Sequence, residues 1–417
     1  MENQHIAIVG AGIVGLSSAL WLQRAGYRVT LIDRDEPGMG ASFGNAGLFA
    51  DYARLPFTKF ALMRKMPGML LDSTSPLSMQ GSYLPKLLPY GWGFFKSCFQ
   101  SRYEHGRAAL TALQQLAPEA DRQLLQWTNA ESLIKANGCL ALFESQQSVE
   151  EARNGDMAER LQQGVKLEFL GAGEVNEMEP DLADFHAGGV FYPNTRYTVS
   201  PIALTQSYAR HFADNGGRVL QDSVEQIIAG SNGSGAGVSL RLSQGVEQFD
   251  RLLLCAGTAS KALLKSLGSD FPLVSERGYH LTLDTGSKTL SRPVGWLDKA
   301  VFLTPMDDGV RLAGTAEFAH ADAPLNPTRA SVMLNHARVM LGQEPSVSST
   351  WVGSRPSTPD SLPVIGALKR HPQVSVAFGH GHLGLTFGAV TGQLISESIQ
   401  GKTPSVDLSP FSPERFS

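Results

Sequence analysis

The fold is decided by the stretch Ile6-Ala7-Ile8-Val9-Gly10-Ala11-Gly12-Ile13-Val14-Gly15. Its first four residues form an apolar run typical of a buried strand, and a G-x-G-x-x-G motif follows at once. A helical pattern continues through Leu22 and stops near Gly26, since glycine commonly ends a helix. A second strand-like run, residues 28–32, ends at Asp33. Strand, helix and strand in about 30 residues predict a parallel βαβ unit.

The three glycines of the motif have separate tasks. Gly10 permits a tight turn, Gly12 lets the backbone approach a pyrophosphate, and Gly15 allows close packing of helix on strand. Phosphates would lie at the helix N-terminus, where free N–H groups and the helix dipole favour an anion. Asp33 follows Gly15 by 18 positions, where its carboxylate can accept hydrogen bonds from ribose hydroxyls. The context therefore predicts a site for a cofactor that contains ADP.

The motif alone does not distinguish FAD from NAD, because both carry an ADP half. Later segments favour FAD. Residues 42–47 are small, polar and glycine-bearing, and a buried strand ends in Ala256 and Gly257, where the backbone can admit a cofactor. Residues 353–366 and 379–386 are dense in glycine, and the second run opens a helix whose N–H groups can stabilise charge on a reduced flavin. Ordinary turns are the alternative for each segment.

Composition limits the class of protein. At 417 residues the chain is longer than one ordinary core supports, so two lobes are expected. Hydrophobic residues at 42% and charged residues at 18% are typical of a globular α/β protein. The formal net charge of −4 argues against a nucleic acid partner, because such proteins usually carry a basic excess.

The three cysteines are Cys98, Cys139 and Cys255, and they form no CxxC pair. This pattern predicts neither a disulfide framework nor a zinc site, and no metal is expected. Strand-like residues begin at His5, which leaves no room for a signal peptide, and no apolar run reaches the roughly 18 residues of a membrane span. We therefore expect a cytoplasmic location. Residues 83–96 mix aromatic residues with lysines, which suits either peripheral contact with the inner face of the cytoplasmic membrane or packing on the protein's own core.

Five segments together resemble bacterial FAD-dependent D-amino acid dehydrogenases, within the wider group of D-amino acid oxidases, glycine oxidases and sarcosine oxidases. They are the glycine motif, SxxNAG at 42–47, Gly278-Tyr279, GxRPxTPDxxPxIG at 353–366 and GHGxLGxT at 379–386. The resemblance spans essentially the whole chain, and the two C-terminal runs are its specific part.

The resemblance implies an α/β fold with an α+β substrate lobe. A Rossmann-like FAD-binding domain would be assembled from residues 1–90, 200–265 and 335–417. Residues 91–199 and 266–334 would form a substrate-binding domain whose antiparallel sheet covers the flavin. The implied reaction is oxidative deamination of a small, D-configured amino acid. Hydride would pass from Cα to flavin N5, the imino acid would hydrolyse to a keto acid and ammonia, and a quinone, another carrier or oxygen would take the electrons.

Three side chains are the expected catalytic set. The resemblance assigns Arg355 to the substrate carboxylate, for which a guanidinium offers a matching two-pronged fork. Tyr279 would assist the carboxylate or line the pocket, and His382 would accept the ammonium proton that must leave before hydride transfer. The alternatives are an ion pair of Arg355 with Asp360, core packing of Tyr279, and a structural histidine. The expected cofactor contacts are Gly10, Ala11, Gly12, Ile13, Val14, Gly15, Asp33, Arg34, Ser42, Asn45, Ala46, Gly47, Val224, Ala256, Gly257, Gly379, His380, Gly381, Leu383, Gly384 and Thr386.

One segment departs from the family pattern. Many members carry an acidic Gly-Asp segment where residues 194–201 hold arginine and tyrosine. If this segment borders the pocket, the substrate could instead be a cyclic or N-methylated secondary amine. An electron-passing flavoprotein subunit without catalysis of its own, and an NAD-linked dehydrogenase, remain further alternatives.

Overall fold

The computed structural model describes residues 4–72, 74–230 and 237–416. Over these residues the strands are, in chain order, β1 (His5–Val9), β2 (Arg28–Asp33), β3 (Leu48–Phe49), β4 (Leu77–Met79), β5 (Ile134–Lys135), β6 (Cys139–Phe143), β7 (Glu168–Gly171), β8 (Gly188–Tyr192), β9 (Arg196–Thr198), β10 (Arg218–Gln221), β11 (Val224–Ala229), β12 (Val238–Leu242), β13 (Gly245–Phe249), β14 (Arg251–Leu254), β15 (Val274–Asp284), β16 (Val294–Trp296), β17 (Val301–Met306), β18 (Gly309–Phe318), β19 (Ser346–Ser357), β20 (Val364–Leu368) and β21 (His371–Phe378). The α-helices are α1 (Ile13–Arg24), α2 (Phe60–Leu71), α3 (Leu84–Ser97), α4 (Gln100–Trp127), α5 (Gln146–Asn154), α6 (Asp156–Gln162), α7 (Ala172–Met178), α8 (Pro201–Asp214), α9 (Ser260–Leu264), α10 (Pro327–Leu341) and α11 (Gly384–Ile399). A hairpin turn that the sequence suggests at 232–237 lies, apart from Gly237, outside the described residues.

Six strands form a sheet in the order β10-β2-β1-β14-β21-β20, which we call the parallel sheet because all its pairs except β20 with β21 are parallel. Strand β1 pairs in parallel with β2 and with β14, which confirms the predicted βαβ unit. Ile6 and Ile8 pack with helix residues on one face, and Ala7 and Val9 pack with β11–β13 on the other. Because both faces are covered, the strand reads as a continuous apolar run.

A nine-stranded sheet, which we call the large sheet, has the order β19-β15-β18-β17-β16-β6-β8-β7, with β4 added beside β18. Its pairs are antiparallel except for β16 with β6 and β18 with β4. Helix α10 covers one face, where Met333, Ala337 and Met340 are fully buried. The opposite face is left for the site described below. A mixed α/β fold with a largely parallel and a largely antiparallel sheet agrees with the predicted fold class.

The sheets divide the chain differently from the predicted domain boundaries. Helix α4, inside the predicted substrate segment 91–199, packs in the same core as α1 and α11. Conversely, β4 lies within 1–90 and β19 within 335–417, yet both belong to the large sheet. An amphipathic pattern shows which face of an element is apolar, but it does not show which of two sheets that face covers.

Cys98, Cys139 and Cys255 are buried and free. Burial raises the pKa of the Cys255 thiol well above its usual value. In the part of the chain that the structure describes, no helix has the length and apolar character needed to cross a membrane.

Candidate active site

A cavity of about 2030 Å³ lies between the carboxyl ends of the parallel strands and one face of the large sheet. Gly10, Asp33 and Ala256 border it from β1, β2 and β14, and Gly278 and Trp351 border it from the large sheet. The carboxyl edge of a parallel sheet is where open α/β folds bind their ligands. The fold therefore brings the glycine motif and the substrate-side residues to one space.

The glycine turn is packed so closely that side chains are excluded. Gly10 has a φ of +109°, and a Cβ there would lie 2.4 Å from the Cys255 carbonyl oxygen. A Cβ on Gly15 would lie 1.9 Å from the Gly10 carbonyl oxygen. The hydroxyl of Ser42 accepts a hydrogen bond of 2.9 Å from the Ile13 N–H. Ser42 thus satisfies one N–H group at the start of α1 that the sequence leaves free for a phosphate.

Asp33 supports the same turn from the end of β2. Its Oδ2 accepts a hydrogen bond of 2.6 Å from the Ala11 N–H, and its Oδ1 accepts one of 3.1 Å from the Asp35 N–H. The side chain also borders the cavity. Because each carboxylate oxygen has a further lone pair, Asp33 can shape the turn and still accept a ribose hydroxyl.

Most of the predicted cofactor contacts border the cavity. They are Gly10, Gly12, Ile13, Val14, Asp33, Arg34, Ser42, Asn45, Ala46, Val224, Ala256, Gly257, Gly379, His380, Gly381, Leu383 and Gly384. Ala11, Gly15, Gly47 and Thr386 do not border it. They stand behind the lining instead: Gly47 donates its N–H to Asn45 Oδ1 at 2.8 Å, and Thr386 Oγ1 accepts from the Ala50 N–H at 3.1 Å.

The large sheet holds the segment 43–46 by its carbonyl groups. Arg311 Nη1 donates to the carbonyls of Phe43 and Asn45 at 3.1 and 3.2 Å. His280 Nδ1 lies 3.1 Å from the Gly44 carbonyl, and Thr304 Oγ1 donates to the Ala46 carbonyl at 3.0 Å. We call His280, Thr304 and Arg311 the carbonyl clamp. Four consecutive carbonyls face the sheet, so this cavity-lining segment has a fixed course.

Burial, together with the positive charge of Arg311, lowers the pKa of His280 to about 4. The ring is therefore neutral near pH 7. Because a carbonyl only accepts hydrogen bonds, Nδ1 carries the proton in this contact. The ring also stacks on Trp351, with centroids 5.2 Å apart.

Glu276 on β15 connects the two candidate catalytic side chains. His382 Nε2 lies 2.7 Å from its Oε1, which also accepts from Arg355 Nη1 at 3.2 Å, and its Oε2 accepts from Ser357 Oγ at 2.8 Å. Burial opposes ionisation of this carboxyl, but His382 and Arg355 outweigh burial and hold its pKa well below the usual range. Glu276 is therefore an ionised carboxylate at the cavity wall.

Arg355 has the position expected of a carboxylate clamp. It borders the cavity, and its side chain is 21% exposed. The alternative pairing with Asp360 is wrong, because Asp360 pairs with Arg415 at 2.7 Å. Nη1 of Arg355 also donates to the Thr315 carbonyl at 2.9 Å. Within the described residues, Nε and Nη2 of Arg355 make no hydrogen bond.

Tyr279 does not line the cavity, which corrects the prediction for this residue. Its hydroxyl donates to Glu317 Oε2 at 2.6 Å, and the residue is 1% exposed. Burial raises its pKa to about 12. Side chains alternate along a strand, so Glu276 and Gly278 face the cavity while Tyr279 faces the core beneath α10.

The two histidines of the 379–386 run differ. His380 is buried, its Nε2 lies 3.0 Å from Thr391 Oγ1, and burial lowers its pKa to about 4. His382 has a side chain that is 40% exposed, and its ring lies 5.4 Å from that of Phe57. Of these two histidines, only His382 contacts Glu276.

The segment 194–201 does not border the cavity. Arg196 instead pairs with Asp121 at 2.8 Å, and Thr195 donates a hydrogen bond to Asp51. The segment supports the chain at 48–51 from behind through the β3–β9 pair. The departure from the family pattern therefore gives no direct reason to expect a secondary amine.

Sequence reasoning missed Glu276 and the carbonyl clamp. A signal was available, since Glu276, His280 and Arg311 are ionisable residues inside runs of sequence that also carry large apolar residues. A buried charge needs partners, so such residues mark a site or a structural ion pair. Arg277 and Glu317 give the same signal but form a buried ion pair of 3.0 Å on the far face. The sequence does not separate the two cases.

The lining fits a dinucleotide. A turn without side chains at one end, the start of α1, and the glycine-rich approach to α11 leave room for an extended ligand with a central pyrophosphate. Residues at these three places would hold FAD.

Comparison with known proteins agrees with this geometry. A family model described as DAO, FAD dependent oxidoreductase, matches residues 5–398. A D-amino-acid oxidase of Bradyrhizobium diazoefficiens is 34% identical, and the match covers 100% of this chain and 99% of that protein. A D-amino acid dehydrogenase of Chromohalobacter salexigens is 29% identical, covering 97% of each.

Solved structures share the fold. Glycine oxidase from Geobacillus kaustophilus superposes with a TM-score of 0.76 at 21% identity, covering 99% of this chain and 98% of that one. L-proline dehydrogenase from P. horikoshii gives a TM-score of 0.74 at 17% identity, covering 100% and 98%. With the cavity, the glycine turn and the family match over nearly the whole chain, we conclude that this protein belongs to the DAO family of FAD-dependent oxidoreductases.

Proposed function

We propose that the protein oxidises a small D-amino acid to the imino acid, which water converts to the keto acid and ammonia. The observation that carries this proposal is Arg355, which presents unbonded Nε and Nη2 groups at the wall of the cavity that would hold FAD. The names of the D-amino-acid oxidase and D-amino acid dehydrogenase relatives support the amino acid and its configuration.

FAD, when bound, supplies the acceptor for the hydride that leaves the substrate Cα. The protein supplies position. The Nε and Nη2 groups of Arg355 match the two oxygens of a carboxylate, which fixes the amino acid in one orientation. Holding Cα–H in a reactive position accounts for a large share of the rate in reactions of this kind.

His382 is the proposed acceptor of the ammonium proton. Hydride transfer needs a neutral amine, because the nitrogen lone pair must form the C=N bond as hydride departs. His382 Nε2 lies 2.7 Å from Glu276 Oε1, so Nδ1 is the ring nitrogen proposed to face the substrate. Glu276 thus orients His382 on one side and Arg355 on the other.

An anaerobic titration tests this function. The purified protein with FAD is mixed with a panel of D- and L-amino acids, D-hydroxyproline and sarcosine, and flavin absorbance is followed. We expect small D-amino acids to bleach the flavin. Arg355→Lys keeps the charge but loses the fork, so it should raise the amino acid concentration for half reduction on the order of tenfold or more. If the secondary amines alone bleach the flavin, a secondary amine is the substrate. If none of the compounds does, the proposed function is wrong.

We also propose that the electrons leave at a lipid surface, where a quinone or membrane-bound carrier accepts them on the cytoplasmic side. Helix α2 has no buried residue, and α3 has only Phe94 and Ser97 buried. The two helices meet through Phe60, whose ring lies 6.0 Å from that of Phe95. Their large exposed apolar residues are Leu70 (36%), Leu71 (89%), Leu84 (48%), Leu88 (66%) and Trp92 (61%).

Charge favours an anionic bilayer as the occupant of this surface. Residues 60–99 contain four basic side chains, Arg64, Lys65, Lys86 and Lys96, against Asp72 alone, although the whole chain carries −4. Basic residues around an apolar face are the pattern of a helix that rests in the headgroup region. This is the 83–96 contact expected from sequence, widened to include α2.

Sedimentation with vesicles tests the lipid surface. We expect binding to phosphatidylglycerol vesicles, weaker binding to phosphatidylcholine, and loss of binding in Leu88→Glu. Val246→Glu is the matched control, since Val246 is 57% exposed on β13, away from α2 and α3. Equal sedimentation of wild type and Leu88→Glu would show that this face does not contact the bilayer.

A further inference from the structure

We propose that Gly278 is a positioning residue that seats Arg355 for carboxylate binding, an inference that rests on the clamp role proposed above. A Cβ added to Gly278 would lie 2.2 Å from Arg355 Nη2, 2.3 Å from Cζ and 2.9 Å from Nε. These three distances place the missing methyl over the flat face of the guanidinium and not at its edge. The guanidinium therefore occupies the space that any side chain at 278 would need.

The strand register explains how the two residues meet. Arg355 on β19 lies opposite Glu276 on β15, and Gly353 lies opposite Gly278. The Arg355 side chain therefore extends along the strand direction, from the Glu276–Arg355 pair to the Gly278–Gly353 pair. Because Gly353 also lacks a side chain, nothing from the neighbouring pair prevents this course.

The other end of the guanidinium is fixed by hydrogen bonds. Nη1 donates to Glu276 Oε1 at 3.2 Å and to the Thr315 carbonyl at 2.9 Å. Nη1 is fixed by these hydrogen bonds and the flat face packs on Gly278. Together the two contacts fix the direction in which the Nε and Nη2 edge points. That edge is the side-on fork that binds two carboxylate oxygens.

We expect an alanine at position 278 to displace the Arg355 guanidinium without disturbing the fold. Gly278 is not among the glycines with positive φ, so the strand conformation accepts alanine. The contacts that its methyl would break are with the end of a flexible side chain. The guanidinium must shift by about 1 Å or more to reach ordinary contact distance, and a misplacement of this size costs on the order of 100-fold in a positioned reaction.

A double-mutant cycle tests whether Gly278 positions Arg355. The anaerobic titration is repeated with Gly278→Ala, Arg355→Ala and the double variant, recording the amino acid concentration for half reduction, FAD content and melting temperature. We expect Gly278→Ala to raise that concentration on the order of 100-fold, and to change it less than twofold in the Arg355→Ala background. Gly173→Ala is the control, because a Cβ there meets no atom within 4 Å.

The other outcomes distinguish the positioning role of Gly278 from the carboxylate-binding role of Arg355. If Arg355→Ala raises the concentration but Gly278→Ala does not, Gly278 does not position Arg355, and the proposed binding of the carboxylate by Arg355 is unaffected. If Gly278→Ala raises the concentration by the same factor in the Arg355→Ala background as in the wild type, Gly278 does not act through Arg355. If Arg355→Ala leaves the concentration unchanged, Arg355 does not bind the substrate carboxylate. Should Gly278→Ala fail to fold, folding restored by Arg355→Ala supports the positioning role of Gly278, and misfolding of the double variant overturns it.

Discussion

At the residue scale, Glu276 has the most connected position in the site. It accepts hydrogen bonds from Arg355 and Ser357, its Oε1 lies 2.7 Å from His382 Nε2, and the residue is 8% exposed. An ionised carboxylate in such a place is tolerated only with its partners, and breaking a buried pair commonly costs about 3 kcal/mol or more. Glu276 therefore contributes to stability as well as to orientation.

Glu276→Gln should lower the free energy of unfolding by about 3 kcal/mol at pH 7. The folded pKa lies below the unfolded value of 4.5, so this contribution is present above pH 4.5 and is lost as the pH falls below it. Denaturant unfolding of both proteins between pH 7 and pH 3.5 measures the difference, which should shrink at the acid end. Glu177→Gln, at an exposed position, is the control. A difference that stays constant over this range would mean that folding does not lower the pKa of Glu276.

Some residues at the cavity could be predicted from the sequence, and others could not. Arg355 and His382 could be chosen from motifs, because their residue types and glycine-rich surroundings indicate a ligand. Tyr279 was wrong for the pocket because a shift of one position along a strand moves a side chain to the opposite face. The role of Gly278 depends on the path of the Arg355 side chain, which has no signature in the sequence.

At the scale of elements, the carbonyl clamp joins the large sheet to a segment that lines the cofactor side of the cavity. Strand β15 carries His280, β17 carries Thr304 and β18 carries Arg311. None of the three side chains needs to touch the cofactor. They fix the course of residues 43–46, so we expect them to govern how tightly FAD is held.

Thr304→Val removes the hydroxyl that donates to the Ala46 carbonyl while keeping the shape of the side chain. A buried carbonyl left without its donor costs about 1–3 kcal/mol, so the Kd for FAD should rise on the order of tenfold. Quenching of flavin fluorescence on adding FAD to the apoprotein measures this Kd. Thr282→Val is a matched control, because the buried Thr282 hydroxyl on the same sheet has no hydrogen-bond partner among the described residues. Equal Kd values for the two variants would show that the clamp does not act on FAD.

At the scale of the whole molecule, the βαβ unit followed from the sequence. The glycine motif specifies a local geometry that a window of about 30 residues contains completely. The assignment of α4, β4 and β19 to the lobes did not follow, because it depends on contacts between residues far apart in the chain. Each of the two larger sheets is made of strands that are far apart in the chain, and the cavity is lined by residues of both sheets.

The central claim is that this cavity oxidises the Cα–H bond of a D-amino acid with electrons passing to FAD. Anaerobic rapid mixing of the holoprotein with a saturating small D-amino acid, and with the same compound deuterated at Cα, tests it most directly. We predict that the D-amino acid bleaches the flavin, that its L-enantiomer does so far more slowly, and that deuterium slows the bleaching. Bleaching at the same rate with both isotopic forms, or no bleaching by any D-amino acid, would contradict the claim.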